Sequence, residues 1–480
     1  MLHNIRERQA PRSIPLTIVV NARLAIGALL LLFLSARAAA QDAPPAWADR
    51  LDSLVTAELA RTLTPGAQVA VAMNGRVIFS RGYGVADIES GRAVRPQTLF
   101  RVGSATKMVT GAVLAQLAVE GKLDLRAPIS RYVPELAGRR VGTVTTHQLL
   151  THTAGWLDNA SAYGRMGEGA LGEVMRVQSD TLFFTDTSRV ISYSNPGYSM
   201  AGYVAERAAD RRFGDLAEEM VLRKMSMPYA TFRPLVAITR DFSQGHIGQP
   251  GNAGTIVRPF TENTAQWAAG FLFASAQEMA RFTIAVMDGG RLDAVQVLPP
   301  EAVRLMTTGD PRIPGDSVAR YAFGLQLGAR GSERVWQHGG AINGFDAQVL
   351  MFPDRKLSVV ILDNRSGAPL QGIVDLVARE VAGIAPPPQP VFPAPRVATI
   401  VERRQLVGVY AQGLSRMEIA VEGDTLVMKR GHTVSGVRLI GEERIRVTSP
   451  TGPMTVLLVR NASGRVEYLH LGLRALARQP

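Results

Sequence analysis

The chain has 480 residues, 53 Lys+Arg against 41 Asp+Glu, a formal charge of +12 and no cysteine. A hydrophobic share of 46% with 20% charged residues excludes a mainly disordered chain, and the missing cysteines exclude a thiol nucleophile, thiolate metal sites and a Cys-linked lipid. The basic residues are dispersed, pairs such as Arg139-Arg140 stand alone, and only five residues are lysine, so no nucleic-acid footprint is present.

Residues 1–40 read as an export signal. Arg6, Arg8, Arg12 and Arg23 precede an apolar run over 24–36, and Ala38-Ala39-Ala40-Gln41 predicts cleavage after Ala40. The run is shorter than the roughly twenty residues that span a bilayer. An exported, periplasmic or secreted protein is expected, with no stable membrane span after cleavage.

Residues 41–385 read as one mixed α/β unit. Runs over 68–73 and 76–85 flank Asn74-Gly75, a hairpin signal. A helix is predicted from about Ser104 to Glu120, with Gly121 as its stop. Ser275 and Glu278 form a capping box before a second helix that Gly289-Gly290 ends. Runs over 348–352 and 357–362 predict another hairpin. Strands at both ends with helices between them imply an antiparallel sheet flanked by helices. Six prolines crowd the segment 386–396, a semi-rigid spacer. From 397 to 480, short alternating runs (417–421, 425–428, 444–447, 454–459) separated by turns predict a small all-β domain.

Three short boxes carry possible chemistry. Ser104-Ala105-Thr106-Lys107 puts a hydroxyl and an amine on one helix face, and a partly buried lysine can be neutral enough to take the serine proton. Tyr193-Ser194-Asn195 offers a phenol, which nearby cations would shift toward phenolate, and an amide able to hold a substrate carbonyl. Ser194-Asn195-Pro196-Gly197 also reads as a turn. In the third box, His338-Gly339-Gly340 after a β-like run at 334–337, the glycines would let a ligand approach the backbone. The N–H of Ala341 could then point at a carbonyl oxygen. His-x-Gly recurs at His246 and His470, but only His338 is followed by Gly344-Phe345 and another β run.

Together these boxes resemble the serine β-lactamase and penicillin-binding protein superfamily, most closely its class C-like branch of β-lactamases, DD-peptidases, D-amino-acid peptidases and esterases. The resemblance covers about residues 50–370 and includes Phe100-Arg101-Val102-Gly103, the segment from Leu149 to Gly155, and Ala268-Ala269-Gly270. It implies an antiparallel sheet flanked by helices with an all-helical subregion, and a lipocalin-like C-terminal β domain. It further implies Ser104 as acylated nucleophile, Lys107 as its deprotonating partner, Tyr193 as proton shuttle and Asn195 as substrate-orienting amide. His338, Gly339, Gly340 and Ala341 would form the substrate wall, with the N–H groups of Ser104 and Ala341 as the oxyanion hole. No cofactor and no metal are implied. The expected partners are small-molecule or peptide substrates, including cell-wall fragments, and the oligomeric state is left open.

One departure bears on substrate. Class C β-lactamases usually carry lysine where His338 stands, and a mostly neutral histidine offers less to a β-lactam carboxylate. D-amino-acid peptides and small esters therefore join β-lactams as candidate substrates. A penicillin- or peptidoglycan-fragment-binding protein with little turnover is the alternative, although a binder has no need of a proton relay. His152 reads as a structural hydrogen-bonding residue, and Trp156, Trp267 and Trp336 as packing.

Overall fold

The computed structural model describes residues 46–248, 254–309, 311–367, 370–387, 391–449 and 452–480. The expected export signal and part of the proline-rich segment lie outside these residues. Leu51–Pro480 forms one compact unit, and of the preceding unit only residues 46–50 are described, as the start of helix α1 (Ala46–Thr62).

Strands β1 (Gly66–Met73) and β2 (Arg76–Asp87) form the expected hairpin. Asn74 and Gly75 take φ of 50° and 78°, the left-handed pair such a two-residue turn requires. With β3 (Arg92–Ala93), β4 (Arg320–Tyr321), β5 (Gln326–Arg330), β6 (Glu333–Ile342), β7 (Phe345–Phe352) and β8 (Leu357–Asp363) they build an eight-stranded sheet. Its order is β4-β5-β6-β7-β8-β1-β2-β3, and every pairing is antiparallel. At the centre, β1 and β8 pair along their length and are buried at nearly every position. They read as continuous apolar runs rather than alternations because no face of them meets water.

Helices α2 (Thr106–Val119) and α3 (Asn195–Ala209) belong to the helical subregion. In α2 every residue from Thr106 to Leu117 is buried, so it has no polar face, as expected of a helix at the centre of its layer. The capping box opens α4 (Ala276–Met287): Ser275 Oγ accepts from the Glu278 N–H and Glu278 returns to the Ser275 N–H at 3.0 Å. This helix packs on β1 and β8, where Thr283 and Ser358 join hydroxyls at 2.6 Å, and helix α5 (Gln371–Ala382) also packs on β8. Trp156 and Trp267 lie in the core.

Strands β9 (Gly408–Gln412), β10 (Ser415–Glu422), β11 (Thr425–Arg430), β12 (Thr433–Ile440), β13 (Arg444–Ser449), β14 (Gly452–Arg460), β15 (Val466–Leu471) and β16 (Arg474–Arg478) form a closed meander barrel. Pairing of Tyr410 with Arg478 closes it, which leaves no open sheet edge. Inward residues such as Ile419, Met428, Leu439, Val447 and Val456 pack its interior and alternate with outward polar ones. The sequence runs at 417–421, 425–428, 444–447 and 454–459 fall on β10, β11, β13 and β14.

Candidate active site

The site forms where α2 begins, beside the strand edge of β6. Gly103 has a φ of 50°, and a Cβ there would fall 2.6 Å from the Ala341 backbone nitrogen. At Gly340 a Cβ would fall 2.0 Å from the Val102 carbonyl oxygen. Only glycine at both positions lets the start of α2 touch β6, which brings the Ala341 N–H beside the residue preceding Ser104. The side of Gly340 where a Cβ would stand is filled by the chain's own backbone, while Gly340 also lines the cavity described below. The His338 box does not follow a strand: it lies inside β6. Because β5 pairs with β6 only from Glu333 to Gln337, the backbone from His338 onward is free of β5.

Lys107 is completely buried. Its Nζ lies 2.6 Å from Asn195 Oδ1, 2.5 Å from the Ala269 carbonyl oxygen and 3.2 Å from Ser104 Oγ. Burial drives its amine well below the usual lysine range; Asp158 pulls it back up, and Arg474 pushes it down again. Two of the three partners can only accept. A neutral amine satisfies both with its two N–H bonds and turns its lone pair to the third partner, the Ser104 hydroxyl.

Tyr193 is buried and has its ring centroid 4.7 Å from Lys107 Nζ. Burial pushes the phenol above its ordinary range, and this outweighs the lowering by Ser104 and Arg474. The expected drift toward phenolate is thus corrected. Arg474, whose guanidinium carbon lies 4.9 Å from the ring centre, does not offset that burial, and Tyr193 is an O–H donor.

Asn195 opens α3. Ser194 caps the helix by accepting from the Gly197 N–H, and Pro196 sits in the first turn, so the segment read as a turn is a helix start. The Asn195 amide is held on both sides: Oδ1 accepts from Lys107, and Nδ2 donates to Asp158 Oδ1 at 2.9 Å. The Asn195 backbone N–H reaches the same carboxylate oxygen at 3.0 Å. In this structure the amide orients the lysine, with one Nδ2 hydrogen committed to Asp158.

His338 is buried, with Nε2 2.8 Å from the Tyr321 hydroxyl and Nδ1 2.5 Å from the Gly339 carbonyl oxygen. Nδ1 must donate to that carbonyl, so Nε2 accepts from the phenol. Burial lowers its pKa to about 3, with Lys107 a secondary cause, and the ring is neutral. His152, with a φ of 58°, wedges its ring between those of Tyr193, Tyr198 and Tyr321, and its Nδ1 accepts from the Ser194 N–H at 3.1 Å. That is the structural role expected of it.

Ser104, Tyr193, Asn195 and the segment His338–Ala341 all line one open cavity of about 580 Å³. Sequence reasoning missed Asp158, Tyr321, Leu473 and Arg474. Asp158 and Arg474 stand 316 residues apart and form an ion pair of 2.6 Å, and no local pattern ties them together.

A family model described as Beta-lactamase matches residues 51–383. A D-aminopeptidase of Gluconobacter oxydans is 28% identical over 324 residues, which cover 66% of this chain and 59% of that protein. The esterase EstB of Burkholderia gladioli is 34% identical over 197 residues, 38% of this chain and 50% of the esterase. The chain thus spans less than two thirds of these curated relatives. Crystal structures of SurE, alone and with D-Leu, superpose with TM-scores of 0.76 and 0.72. Their identities are 25% and 26%, and they cover 91% and 90% of this chain and 100% of the SurE chains.

Proposed function

The chain belongs to the beta-lactamase family of serine hydrolases, and from that premise we propose that it hydrolyses D-amino-acid peptides or small esters through an acyl-serine. The observation that carries this reading is the fully buried Lys107 amine, whose Nζ meets Asn195 Oδ1, the Ala269 carbonyl oxygen and, at 3.2 Å, Ser104 Oγ, and whose pKa burial lowers toward the neutral form that can take the serine proton.

In the first half-reaction, Ser104 Oγ attacks the substrate carbonyl carbon while its proton passes to Lys107 Nζ. The N–H groups of Ser104 and Ala341 hold the resulting oxyanion, each such donor being typically worth about 3 kcal/mol. The bond to the leaving group then breaks, and that group takes a proton from the neutral Tyr193 hydroxyl, which Lys107 resupplies. Water repeats the sequence on the acyl-serine: it gives its proton back through the same groups and releases the acid and Ser104.

The substrate preference rests on charge. The neutral His338 offers no cation to a β-lactam carboxylate, so efficient β-lactam turnover is not expected. The similarity to a D-aminopeptidase, to the esterase EstB and to SurE solved with D-Leu supports D-amino-acid and ester substrates. We also propose that residues 1–40 export the protein, that 41–385 form the hydrolase domain, and that 397–480 form the β domain beyond the proline-rich connector.

A fluorophosphonate probe should label the protein, with peptide mapping placing the adduct on Ser104. Ser104→Ala should abolish labelling and turnover of p-nitrophenyl esters and D-alanyl p-nitroanilide while leaving the melting temperature within about 2 °C. Labelling without turnover of any of these substrates or of nitrocefin would turn the reading to a binding protein. Absence of labelling would overturn it.

A further inference from the structure

The β15–β16 hairpin of the barrel ends inside the catalytic cavity, where Leu473 and Arg474 join its lining. Its two-residue turn, Gly472-Leu473, places the Leu473 carbonyl where it accepts from the Tyr193 backbone N–H at 2.8 Å. Arg474 follows at once. Both its Nε (2.8 Å) and its Nη2 (2.6 Å) donate to Asp158 Oδ2, and its guanidinium carbon lies 4.9 Å from the centre of the Tyr193 ring.

The hairpin is fastened there along its length. His470 Nε2 meets the Ile191 carbonyl at 2.9 Å, and Ser192 Oγ accepts from Gln412 Nε2 and from the Ala475 N–H. Thr185 and Tyr468 share a hydroxyl contact at 2.6 Å. A connector resting on the active site by chance would not be held by both strands at the segment that delivers Tyr193.

From Arg474 a continuous line of polar contacts leads to the base. Asp158 Oδ2 takes the guanidinium, and Asp158 Oδ1 takes the Asn195 backbone and side-chain N–H groups; Asn195 Oδ1 then takes Lys107 Nζ. The groups that face Lys107 from the surrounding elements are Ser104, Asn195, the Ala269 carbonyl, the phenols of Tyr193 and Tyr198, the neutral rings of His152 and His338, and the Asp158–Arg474 pair. Among the described residues, only that pair brings formal charge. A lone Asp158 carboxylate at this distance would favour an ammonium at Lys107, which has no lone pair to offer Ser104.

We propose that Arg474 is a positioning residue of the active site: by gripping Asp158 it fixes the Asn195 amide and cancels the one negative charge near Lys107, so the barrel is a working part of the proton-transfer machinery. This rests on Lys107 being the base that activates Ser104.

The sign of the effect follows. Lys107 acts when neutral, so the reaction rate rises with pH through its titration, and any change that favours the ammonium moves that acid limb upward. The test is the rate of fluorophosphonate labelling of Ser104 against pH in the full-length protein. Arg474→Gln should move the acid limb up by about one pH unit, a loss of about tenfold on that limb. Arg474→Lys, which keeps the charge, should leave the limb within about 0.3 unit of wild type. Asp158→Asn/Arg474→Gln should return it to the wild-type position, because the amide oxygen introduced at position 158 still accepts from Asn195 while the charge is gone.

An Arg474→Gln protein whose limb stays put, or whose loss is uniform across pH and survives in the double variant, overturns the proposal and leaves the acyl-serine reading intact. Failure of the wild-type protein to label at Ser104 overturns both. If Arg474→Gln does not fold, the double variant decides: a wild-type limb with restored folding supports the proposal, and a shifted limb refutes it.

Discussion

Two basic side chains six positions apart, Arg101 and Lys107, are both buried and do opposite things. Arg101 keeps its charge. Its guanidinium faces the Glu262 carboxylate at 3.0 Å, both side chains at most 3% exposed, and it lies within 5.1 Å of the ring centres of Phe260, Phe271 and Phe273. Burial lowers its pKa only to about 10, because Glu262 opposes the shift. No carboxylate lies within ion-pair distance of Lys107 among the described residues, and its amine gives up the proton. Burial by itself therefore does not make a base. An amine that titrates readily, set beside neutral acceptors and a charge-cancelled Asp158, does.

The largest effect that separates the two sites is kinetic. Lys107→Met should slow Ser104 labelling and ester turnover by about a thousandfold or more, while stability falls by about 1–3 kcal/mol because the Asn195 and Ala269 oxygens lose their donor. Lys107→Arg should be equally inactive, because a guanidinium stays charged. If either variant kept most of the activity, Lys107 would not be the base.

At Arg101 the order reverses. Arg101→Met leaves Glu262 buried with Trp267 as its remaining side-chain donor. It should cost about 3–5 kcal/mol of stability by denaturant titration, and the folded fraction should label at the wild-type rate. Arg101→Met/Glu262→Gln should recover part of that loss. Recovery of nothing would mean the aromatic packing, not the ion pair, holds the site.

Tyr193→Phe sharpens the contrast from the side of the acid. A neutral phenol that donates to the leaving group predicts a loss of about a hundredfold with the acid limb unmoved. A limb that moved would mean the phenol had been the titrating base.

The smallest effect concerns His338. Its folded pKa of about 3 lies below the ordinary value of about 6.5, so the unfolded chain takes up this proton first. The stability tied to the neutral ring is complete above pH 6.5 and is lost as the pH falls toward 3. Between pH 7 and pH 5 that amounts to about 2 kcal/mol, a loss that His338→Gln should lack in paired urea titrations. His152, also lowered by burial, adds to the acid sensitivity in the same direction.

Local signals with local causes were legible. Asn74-Gly75 predicts its hairpin because the left-handed pair it needs is a property of two residues. Ser275 and Glu278 predict their helix because the capping box closes within four. The same locality misled at Ser194–Gly197, where serine and proline serve a helix start as readily as a turn. At Gly340 the missing side chain also serves a contact no local pattern shows, the close approach of Val102 to the strand. The strands that deliver Arg474 alternate too weakly over their few residues to stand out from other β runs.

By itself the sequence determined which groups are available for chemistry. With no cysteine and only five lysines, one of them three residues after Ser104, a candidate nucleophile and its neighbour could be named. What those groups do was decided by the tertiary structure. Protonation depends on solvent and on charges a few ångströms away. Burial pushes the Lys107 amine toward its neutral form, and residues 158 and 474, remote in the chain, meet and cancel beside it. Tyr193 is a donor rather than a phenolate for the same reason: burial disfavours charge wherever no partner of opposite sign compensates it.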